Sequence, residues 1–408
     1  MSDMPLSWNP PLPDEGGAGH AVTRTGSPRL EMIDVLRGLV IILMVLDHTR
    51  EYFSADALRF EPTDLTQTTV WLYIARWVTH LCAPTFVFLA GASAFLQTRS
   101  GKPKGEVSRF LLTRGLWLIF LEVTLITFAF NFAEPFLFLQ VIFAIGIGMV
   151  ALAGLIYLPW PAILAIGVLI VGGHQLFAPV TLKEMGAFAP IWQLMFKPGP
   201  LSWAPGLIVY PVIPWFGVLC LGYGVAPLFS LPDRLRRPAF LVLGLLFLVG
   251  FAVLRMLNGY GDPAPWSHQK DAITTAMSFM KVSKYPPSLD YVLVTLGVAL
   301  PLGVLLENAR GWWHNVMMAF GRTPLFTYIL HIYLIHTLAL VLGLTRGVPP
   351  AAFGNYLAGT KALTAAHWGY SLPMVIFWWL VIVAVLYPIS RAYMRAKTER
   401  RQPWMSYL

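Results

Sequence analysis

The stretch Arg29–Phe53, RLEMIDVLRGLVIILMVLDHTREYF, is the most informative part of the sequence, because this apolar helical segment carries several ionisable residues: Asp34, Arg37, Asp47 and His48. Ionisable groups at membrane depth are costly and usually persist for function. At about 100° of rotation and 1.5 Å of rise per residue, Arg37 and His48 lie within about 20° of each other and about 16 Å apart. One helix face is therefore predicted to present an ion pair near one membrane surface and an imidazole deeper in the bilayer.

The composition is typical of a membrane protein. The chain has 408 residues, of which 57% are hydrophobic and 12% are charged, and its mean hydropathy is +0.64. Apolar runs of about 20 residues recur, each long enough to cross a bilayer. We expect an all-α, polytopic transmembrane helical bundle of about ten spans, at approximately residues 32–53, 70–97, 108–130, 136–157, 160–177, 206–229, 237–257, 288–307, 322–343 and 371–394.

Lysine and arginine collect in alternate loops, which is typical of cytoplasmic loops. This distribution predicts that both termini are cytoplasmic, with residues 1–28 a disordered tail, 29–396 the transmembrane domain and 397–408 a basic tail. The net charge of +9 therefore indicates membrane topology, and we expect the lipid bilayer rather than nucleic acid as a partner. Helix faces built from small residues would permit a homodimer.

The predicted second span, VWLYIARWVTHLCAPTFVFLAGASAFL at 70–96, places Arg76 and His80 four residues apart on one helix face. Pro84 lacks the N–H that would bond the His80 carbonyl, so the helix is predicted to kink there and leave that carbonyl free. A histidine at such a kink, one turn from an arginine, favours a functional site. The alternative is a buried histidine bonded across helices.

The predicted ninth span, GRTPLFTYILHIYLIHTLALVLG at 321–343, supplies His331 and His336. Five residues apart, these histidines diverge by roughly 140° around a helix and cannot both point at one site. We expect one to be functional and the other structural, and the sequence leaves open which.

Depth along the helices predicts a common site. We expect one outward-facing cavity to be lined by four histidines, with Asp47 and Arg76 supplying charge: His48, His80, His331 and His336. Gln140 either lines this cavity or marks close helix packing.

A metal or haem site is a weaker alternative, although histidine is the commonest metal ligand. The sequence has no HxxxH or HExxH pairing and no CxxCH, and Cys82 and Cys220 lie inside apolar segments. It also contains no glycine-rich phosphate loop that opens a helix. We therefore expect no metal.

Three segments together resemble bacterial membrane proteins related to heparan-α-glucosaminide N-acetyltransferase: RLEMIDVLRGLVIILMVLDH at 29–48, THLCAPTFVFLAG at 79–91 and FGRTPLFTYILHIYLIH at 320–336. The resemblance implies a protein of a bacterial inner membrane that transfers an acyl group across it. Cytoplasmic acetyl-CoA would be the donor, and an extracytoplasmic amino sugar or other glycan would be the acceptor.

The resemblance also implies residue roles. Asp34 and Arg37 would belong to the signature of the first helix and bind the donor, with His48 at its outer end and His80 before the PxFxF stretch. In the eukaryotic branch a histidine of the first luminal loop is usually assigned the catalytic role, but residues 49–69 contain no histidine. The chemistry would then fall to His48 or His80.

The mechanism uses His48 or His80 as general base toward an acceptor hydroxyl or amine, since histidine titrates near neutral pH. Asp47 or another carboxylate would orient the ring, and Arg76 would stabilise the oxyanion; an acetyl-imidazole intermediate is the covalent alternative. Arg37, with the basic loops at 99–114 and 234–237, would meet the phosphates of coenzyme A, although the charges of these loops are more typical of topology determinants.

Two other classes of protein remain open. A secondary transporter would use the same His, Arg and Asp residues as a proton relay or substrate site, and it would need broken helices and pseudo-symmetry. A non-catalytic membrane scaffold would retain only the acyltransferase-like body.

Overall fold

The computed structural model describes residues 28–99, 101–132, 136–354 and 356–400, together with 402, 405 and 407. Within these residues the protein is the predicted all-α bundle. The predicted disordered tail before Pro28, and several residues of the predicted basic tail after Arg400, lie outside the described residues.

Helices and three short strands alternate as follows along the described chain: α1 (Pro28–Phe53), α2 (Val70–Val78), α3 (Cys82–Thr98), α4 (Lys104–Leu121), α5 (Thr127–Phe130), β1 (Leu137–Leu139), α6 (Val141–Leu155), α7 (Trp160–Gly173), α8 (Ala189–Phe196), β2 (Gly199–Pro200), β3 (Gly206–Ile208), α9 (Val212–Val225), α10 (Asp233–Leu257), α11 (Ala272–Met280), α12 (Leu289–Leu306), α13 (Trp312–Arg322), α14 (Pro324–Thr345), α15 (Ala351–Gly354), α16 (Tyr356–Ala365) and α17 (Leu372–Arg400).

The described residues form eight helical segments that are long and apolar enough to cross a membrane: Val70–Thr98, Lys104–Phe130, Trp160–Phe177, Val212–Ser230, Asp233–Leu257, Leu289–Leu306, Pro324–Thr345 and Leu372–Arg400. Each overlaps a predicted span. Two further predicted spans correspond to α1, which is rich in charge, and to α6, which has only 15 residues. The protein is a multi-pass membrane protein; the total of ten spans and the cytoplasmic termini stay predictions.

The charged helix α1 lies at the centre of the bundle. Its apolar residues Met32, Leu36 and Val40 are almost fully buried, and it packs against α3, α12, α13, α14 and α17. By contrast, α10 exposes apolar side chains such as Leu245 and Leu246 at its surface. The bundle therefore shields the helix that carries Asp34, Arg37, Asp47 and His48, and it presents apolar side chains to the lipid.

Two glycines let α1 and α13 cross in backbone contact. A Cβ atom at Gly38 would lie 1.9 Å from the carbonyl oxygen of Met317, and one at Gly321 would lie 1.8 Å from that of Asp34. No side chain fits at such distances, because the backbone atoms cannot move aside independently. Gly38 therefore fixes the position of its neighbour Arg37 relative to α13.

The proline-induced break in the second span is confirmed. A 3₁₀ turn over Thr79–Leu81 separates α2 from α3. The freed carbonyl of His80 accepts a hydrogen bond of 2.9 Å from the Tyr291 hydroxyl on α12. The break therefore attaches the second span to α12 instead of leaving an unsatisfied polar group in the bilayer.

A small three-stranded sheet, which the sequence analysis did not predict, covers one end of the bundle. Its strand order is β1-β3-β2; β1 and β3 pair in parallel, with Leu139 opposite Ile208, and β2 pairs antiparallel to β3. Strands β2 and β3 belong to one loop and form a local hairpin, whereas β1 comes from a loop that is distant in sequence, so the complete sheet is not evident from any local pattern. The sheet ends beside Gln140, where α6 begins.

Candidate functional site

Two cavities lie along α1. The larger, of about 880 Å³, surrounds the amino-terminal half of α1 and is called the Arg37 cavity; α3, α4, α6, α14 and α17 complete it. The smaller, of about 350 Å³, surrounds the carboxyl-terminal end of α1 and is called the His48 cavity; α2, α3, α14 and several loops complete it. One helix thus contributes the named residue of each cavity.

The two cavities meet inside the bundle. Four residues line both of them: Met44, Phe86, Val141 and Tyr328. We call these four residues the junction. Three of them are apolar, and the fourth, Tyr328, brings a hydroxyl group. Only one layer of side chains therefore separates the cavities.

The Arg37 cavity has an excess of positive charge. Its lining includes four basic and two acidic residues: Arg37, Arg114, Arg322, Lys397, Glu31 and Asp34. Nη2 of Arg37 donates a 2.5 Å hydrogen bond to the Ser93 hydroxyl on α3. Asp34 lies 3.7 Å from Arg37 and 3.3 Å from Arg322, so the predicted Asp34–Arg37 ion pair is present and Arg322 joins it. This arrangement suits a ligand that carries several negative charges.

Of the two basic loops expected near Arg37, one contributes. Arg114 lines the Arg37 cavity at the end of the 99–114 region. Arg236 and Arg237 instead bind Glu307, at 2.5 and 2.7 Å, and do not line this cavity. The structure therefore contradicts a coenzyme A role for Arg236 and Arg237, whose side chains are engaged in an ion-pair network between α10 and the end of α12. Their interpretation as topology determinants stays a prediction.

His48 is held by Glu51 rather than by Asp47. Nδ1 of His48 lies 2.8 Å from Oε2 of Glu51, one turn further along α1. The imidazole also packs edge-on against Phe130, with 5.5 Å between ring centroids. A carboxylate at Nδ1 favours the tautomer whose proton is on that nitrogen, and Nε2 then carries the lone pair. Of the alternatives that the sequence left open, the carboxylate beside the His48 ring is therefore Glu51 and not Asp47.

Asp47 is the centre of a buried charge cluster. It accepts hydrogen bonds from Arg50 at 2.6 Å and from Thr79 at 2.7 Å, and it lies 3.5 Å from Arg76 and 3.6 Å from Lys284. Three cations surround one carboxylate, so Asp47 is the group that keeps them together. All these residues except Thr79 line the His48 cavity.

Lys284 reaches this cluster from the loop before α12. Burial opposes its charge, but the adjacent Tyr285 and the Asp47 carboxylate outweigh burial and raise the pKa of the Lys284 ammonium above its ordinary value. Lys284 therefore stays protonated at neutral pH. Arg76 lies in addition 3.6 Å from Glu61, whose side chain is largely exposed.

The expected cavity of four histidines is wrong. Of those four, only His48 is among the described residues that line the His48 cavity. His331 lies behind His48, with 5.2 Å between the centroids of the two imidazole rings. His336 is structural, since its two nitrogens meet the carbonyl oxygens of Ala129 at 2.7 Å and Phe353 at 2.6 Å.

His80 is buried between helices, with its ring 5.4 Å from that of Tyr291. The direction in which each ring points depends on how the helices pack, which residue spacing within one helix does not determine. The structure thus groups Asp47, His48 and Arg76 at one cavity and leaves His80 outside its lining.

Gln140 lines the His48 cavity where α6 begins. Its backbone N–H donates a 2.7 Å hydrogen bond to Oε1 of Glu122, a fully buried carboxylate in a π-helical segment, Glu122–Ile126. Glu122 therefore satisfies a backbone N–H at the start of α6, which has no partner within the helix itself. Both residues hold the wall of the site in place.

Several residues of the two cavities were not predicted: Glu51, Arg50, Lys284, Arg322 and Tyr328. Glu51 had a readable signal, because it follows His48 at a spacing that brings helical side chains together. The others reach the cavities through tertiary packing. Among the described residues, no group of three or more His, Cys, Asp or Glu residues could hold a metal ion, and the expected absence of a metal stays a prediction.

Taken together, the bundle and its two cavities define a multi-pass membrane protein with a polar site on each side of a narrow junction. The family model described as heparan-alpha-glucosaminide N-acetyltransferase, catalytic, matches residues 29–256. This match covers more than half of the chain, and the chain belongs to this family of transmembrane acetyltransferase-like proteins. No individual curated protein matches the chain significantly.

The matched range ends in α10. It includes Arg37, His48 and Arg76, whereas Lys284 and Tyr328 lie beyond it. The third resembling segment, 320–336, also lies outside the match. The cavity-lining residues beyond residue 256, such as Lys284 and Tyr328, are therefore placed at the site by the structure alone.

Proposed function

We propose that this protein transfers an acyl group, with acetyl as the expected case, from cytoplasmic acyl-CoA to an extracytoplasmic amino sugar or other glycan. The observation that carries the proposal is the junction. A basic cavity able to hold an anionic donor meets, across one layer of side chains, a second cavity that contains a carboxylate-bound histidine. Family membership supports the reaction class.

The donor would occupy the Arg37 cavity. Its volume of about 880 Å³ lies within the range of ligand pockets. Arginine side chains match phosphate groups in geometry and charge, and Arg37, Arg114 and Arg322 are available around the cavity. With coenzyme A phosphates near Arg37, the extended arm of the donor would run along α1 and bring its thioester to the junction, which meets α1 at Met44, about 10 Å further on.

His48 would carry the chemistry from the other side of the junction. Glu51 holds the proton on Nδ1, so Nε2 is the basic atom. In one route Nε2 takes a proton from the acceptor amine or hydroxyl as that group attacks the thioester carbonyl. In the other, Nε2 itself attacks, the C–S bond breaks, and the acyl-imidazole passes the acyl group to the acceptor.

The acceptor would enter the His48 cavity. The charged residues that line it are balanced, three basic and three acidic: Arg50, Arg76, Lys284, Asp47, Glu51 and Glu61. Tyr210 and Tyr285 add aromatic surface beside them. A balanced polar wall with aromatic rings suits a hydroxylated sugar. Because Arg76 is engaged with Asp47 and Glu61, we assign it to holding this wall.

The orientation follows from the positive-inside rule. Both termini would be cytoplasmic, so the Arg37 cavity, at the start of α1, would face the cytoplasm where acyl-CoA is made. The His48 cavity would face the outside of a bacterial inner membrane. Acyl-CoA itself would not need to cross.

The test is acetyl-CoA binding and thioester cleavage by the purified full-length protein in lipid nanodiscs. Wild type should bind acetyl-CoA saturably and release free thiol slowly without an acceptor. Arg37→Gln should weaken binding roughly 10- to 100-fold, since it removes a charged hydrogen-bond donor. Arg310→Gln is the matched control, because Arg310 is exposed and outside both cavities.

No saturable binding by a folded wild type would contradict the proposal. Proton-coupled substrate uptake into proteoliposomes would then be measured, because a transporter would use the same polar residues as a relay.

A further inference from the structure

Tyr328 is the polar member of the junction. It lies on α14 and lines both the Arg37 cavity and the His48 cavity, whereas the other three junction residues are apolar. Only 4% of its surface is exposed. A group that moves from one cavity to the other must therefore pass this side chain.

The Tyr328 hydroxyl is buried and makes no hydrogen bond to any described residue. An unpartnered buried hydroxyl is costly, and in native proteins it calls for an explanation. The ring itself is well held, since it packs edge-on against His331 with 5.5 Å between centroids. The structure thus fixes the ring while leaving its donor free.

The same packing places Tyr328 beside the reactive histidine. His331 follows Tyr328 by three residues, on the same face of α14. Its ring lies 5.2 Å from that of His48. Tyr328 and His48 are therefore connected through a single intervening ring, and both line the His48 cavity.

We propose that Tyr328 is a catalytic residue of the acyl transfer proposed above, on which this inference rests: its hydroxyl donates a hydrogen bond to the carbonyl oxygen of the thioester at the junction. This position is where negative charge develops during acyl transfer. Arg76, which the sequence suggested for this role, is engaged with Asp47 and Glu61 and is not among the residues that line the Arg37 cavity.

The step balances as follows. A nucleophile, either Nε2 of His48 or the acceptor amine, gives its electron pair to the carbonyl carbon, and the carbonyl π electrons move to oxygen. Tyr328 donates its hydrogen bond to this oxyanion and keeps its proton. The carbonyl re-forms, the C–S bond breaks, and the coenzyme A thiolate leaves. When the amine attacks, the thiolate takes up the proton that the amine loses to Nε2 of His48. When Nε2 attacks, the acyl-imidazolium loses its Nδ1 proton to the Glu51 carboxylate, and the thiolate takes up that proton.

The test is Tyr328→Phe, which deletes only the hydroxyl and keeps the ring. We expect thioester cleavage to slow about 100-fold, as for the loss of one oxyanion donor, while the Kd for acetyl-CoA changes less than about twofold. Because the deleted hydroxyl has no partner, the melting temperature of the unliganded protein should stay equal or rise. A merely structural role would instead lower it.

Tyr393→Phe is the matched control. Its hydroxyl is also buried without a partner, on α17, but it lines neither cavity, so its cleavage rate should equal that of wild type. A wild-type rate in Tyr328→Phe would overturn the role of Tyr328 alone. No cleavage of acetyl-CoA by wild type would overturn the proposed function and this inference together.

Discussion

The two ends of α1 line cavities that differ in volume and in charge. Around Arg37 the cavity is wide, and basic residues outnumber acidic ones; around His48 it is less than half as large, and the charges are balanced in a buried network. An open basic cavity can accept a large anionic ligand, whereas a network of buried ion pairs fixes geometry. One helix can therefore provide donor binding at one end and acyl-transfer chemistry at the other.

The largest expected effect concerns the network around His48. Asp47→Asn removes the one carboxylate that faces Arg50, Arg76 and Lys284. Breaking a buried ion pair in this way costs about 3–5 kcal/mol. Thermal unfolding in nanodiscs should show a much lower melting temperature. Asp56→Asn is the control in a surface loop; an unchanged stability of Asp47→Asn would mean that the network does not hold this end of the protein.

The second effect separates chemistry from binding. His48→Gln keeps a polar side chain but removes the basic nitrogen, so thioester cleavage should fall by about 1000-fold, within the range for general base catalysis. The Kd for acetyl-CoA should stay close to the wild-type value, because the phosphates would lie at the other end of α1. His268→Gln, in an exposed loop, is the control. Equal losses of binding and cleavage would contradict the division of roles.

A third effect concerns the crossing that positions Arg37. Gly38→Ala adds a Cβ atom that would lie 1.9 Å from the Met317 carbonyl oxygen, so α1 and α13 must separate. We expect a loss of about 1–3 kcal/mol of stability, as for other overpacked sites, and weaker acetyl-CoA binding. Gly154→Ala, where an added Cβ meets no atom within 4 Å, should be neutral. A neutral Gly38→Ala would show that this crossing is not tight.

The smallest effect concerns ionic strength. If phosphates meet Arg37, Arg114 and Arg322, raising the salt concentration from about 0.05 to about 0.5 M should weaken acetyl-CoA binding several-fold through screening. Cleavage from the saturated complex should change less, because the His48 network is buried. Isothermal titration at several salt concentrations measures the first quantity, and thiol release the second. Salt-independent binding would argue against phosphate contacts in the Arg37 cavity.

Local features of the site were predictable from the sequence. The Asp34–Arg37 pair and the break before Pro84 depend on residues within one or two helical turns, so helical geometry was sufficient. His331 and His336 also diverge as predicted: the nitrogens of His336 face two backbone carbonyls, while His331 packs against His48. A functional role for one of them stays a prediction.

The rest required tertiary structure. Lys284 reaches Asp47 from more than 200 residues away in sequence, and Tyr328 joins the junction only because α14 packs beside α1. The His80 ring faces α12 instead of the cavity. Hydrophobic patterns place a helix in the bilayer, and they do not determine which neighbour each side chain meets.

The proposed function requires donor and acceptor to meet across the junction from opposite sides of the membrane. The direct test uses sealed proteoliposomes of known protein orientation, with acetyl-labelled acetyl-CoA on the side of the Arg37 cavity and an amino sugar on the other side. We predict labelled product on the acceptor side and free coenzyme A on the donor side, with neither formed by His48→Gln. Product and free coenzyme A on the same side, or intact acetyl-CoA crossing the membrane, would contradict acyl transfer across the junction.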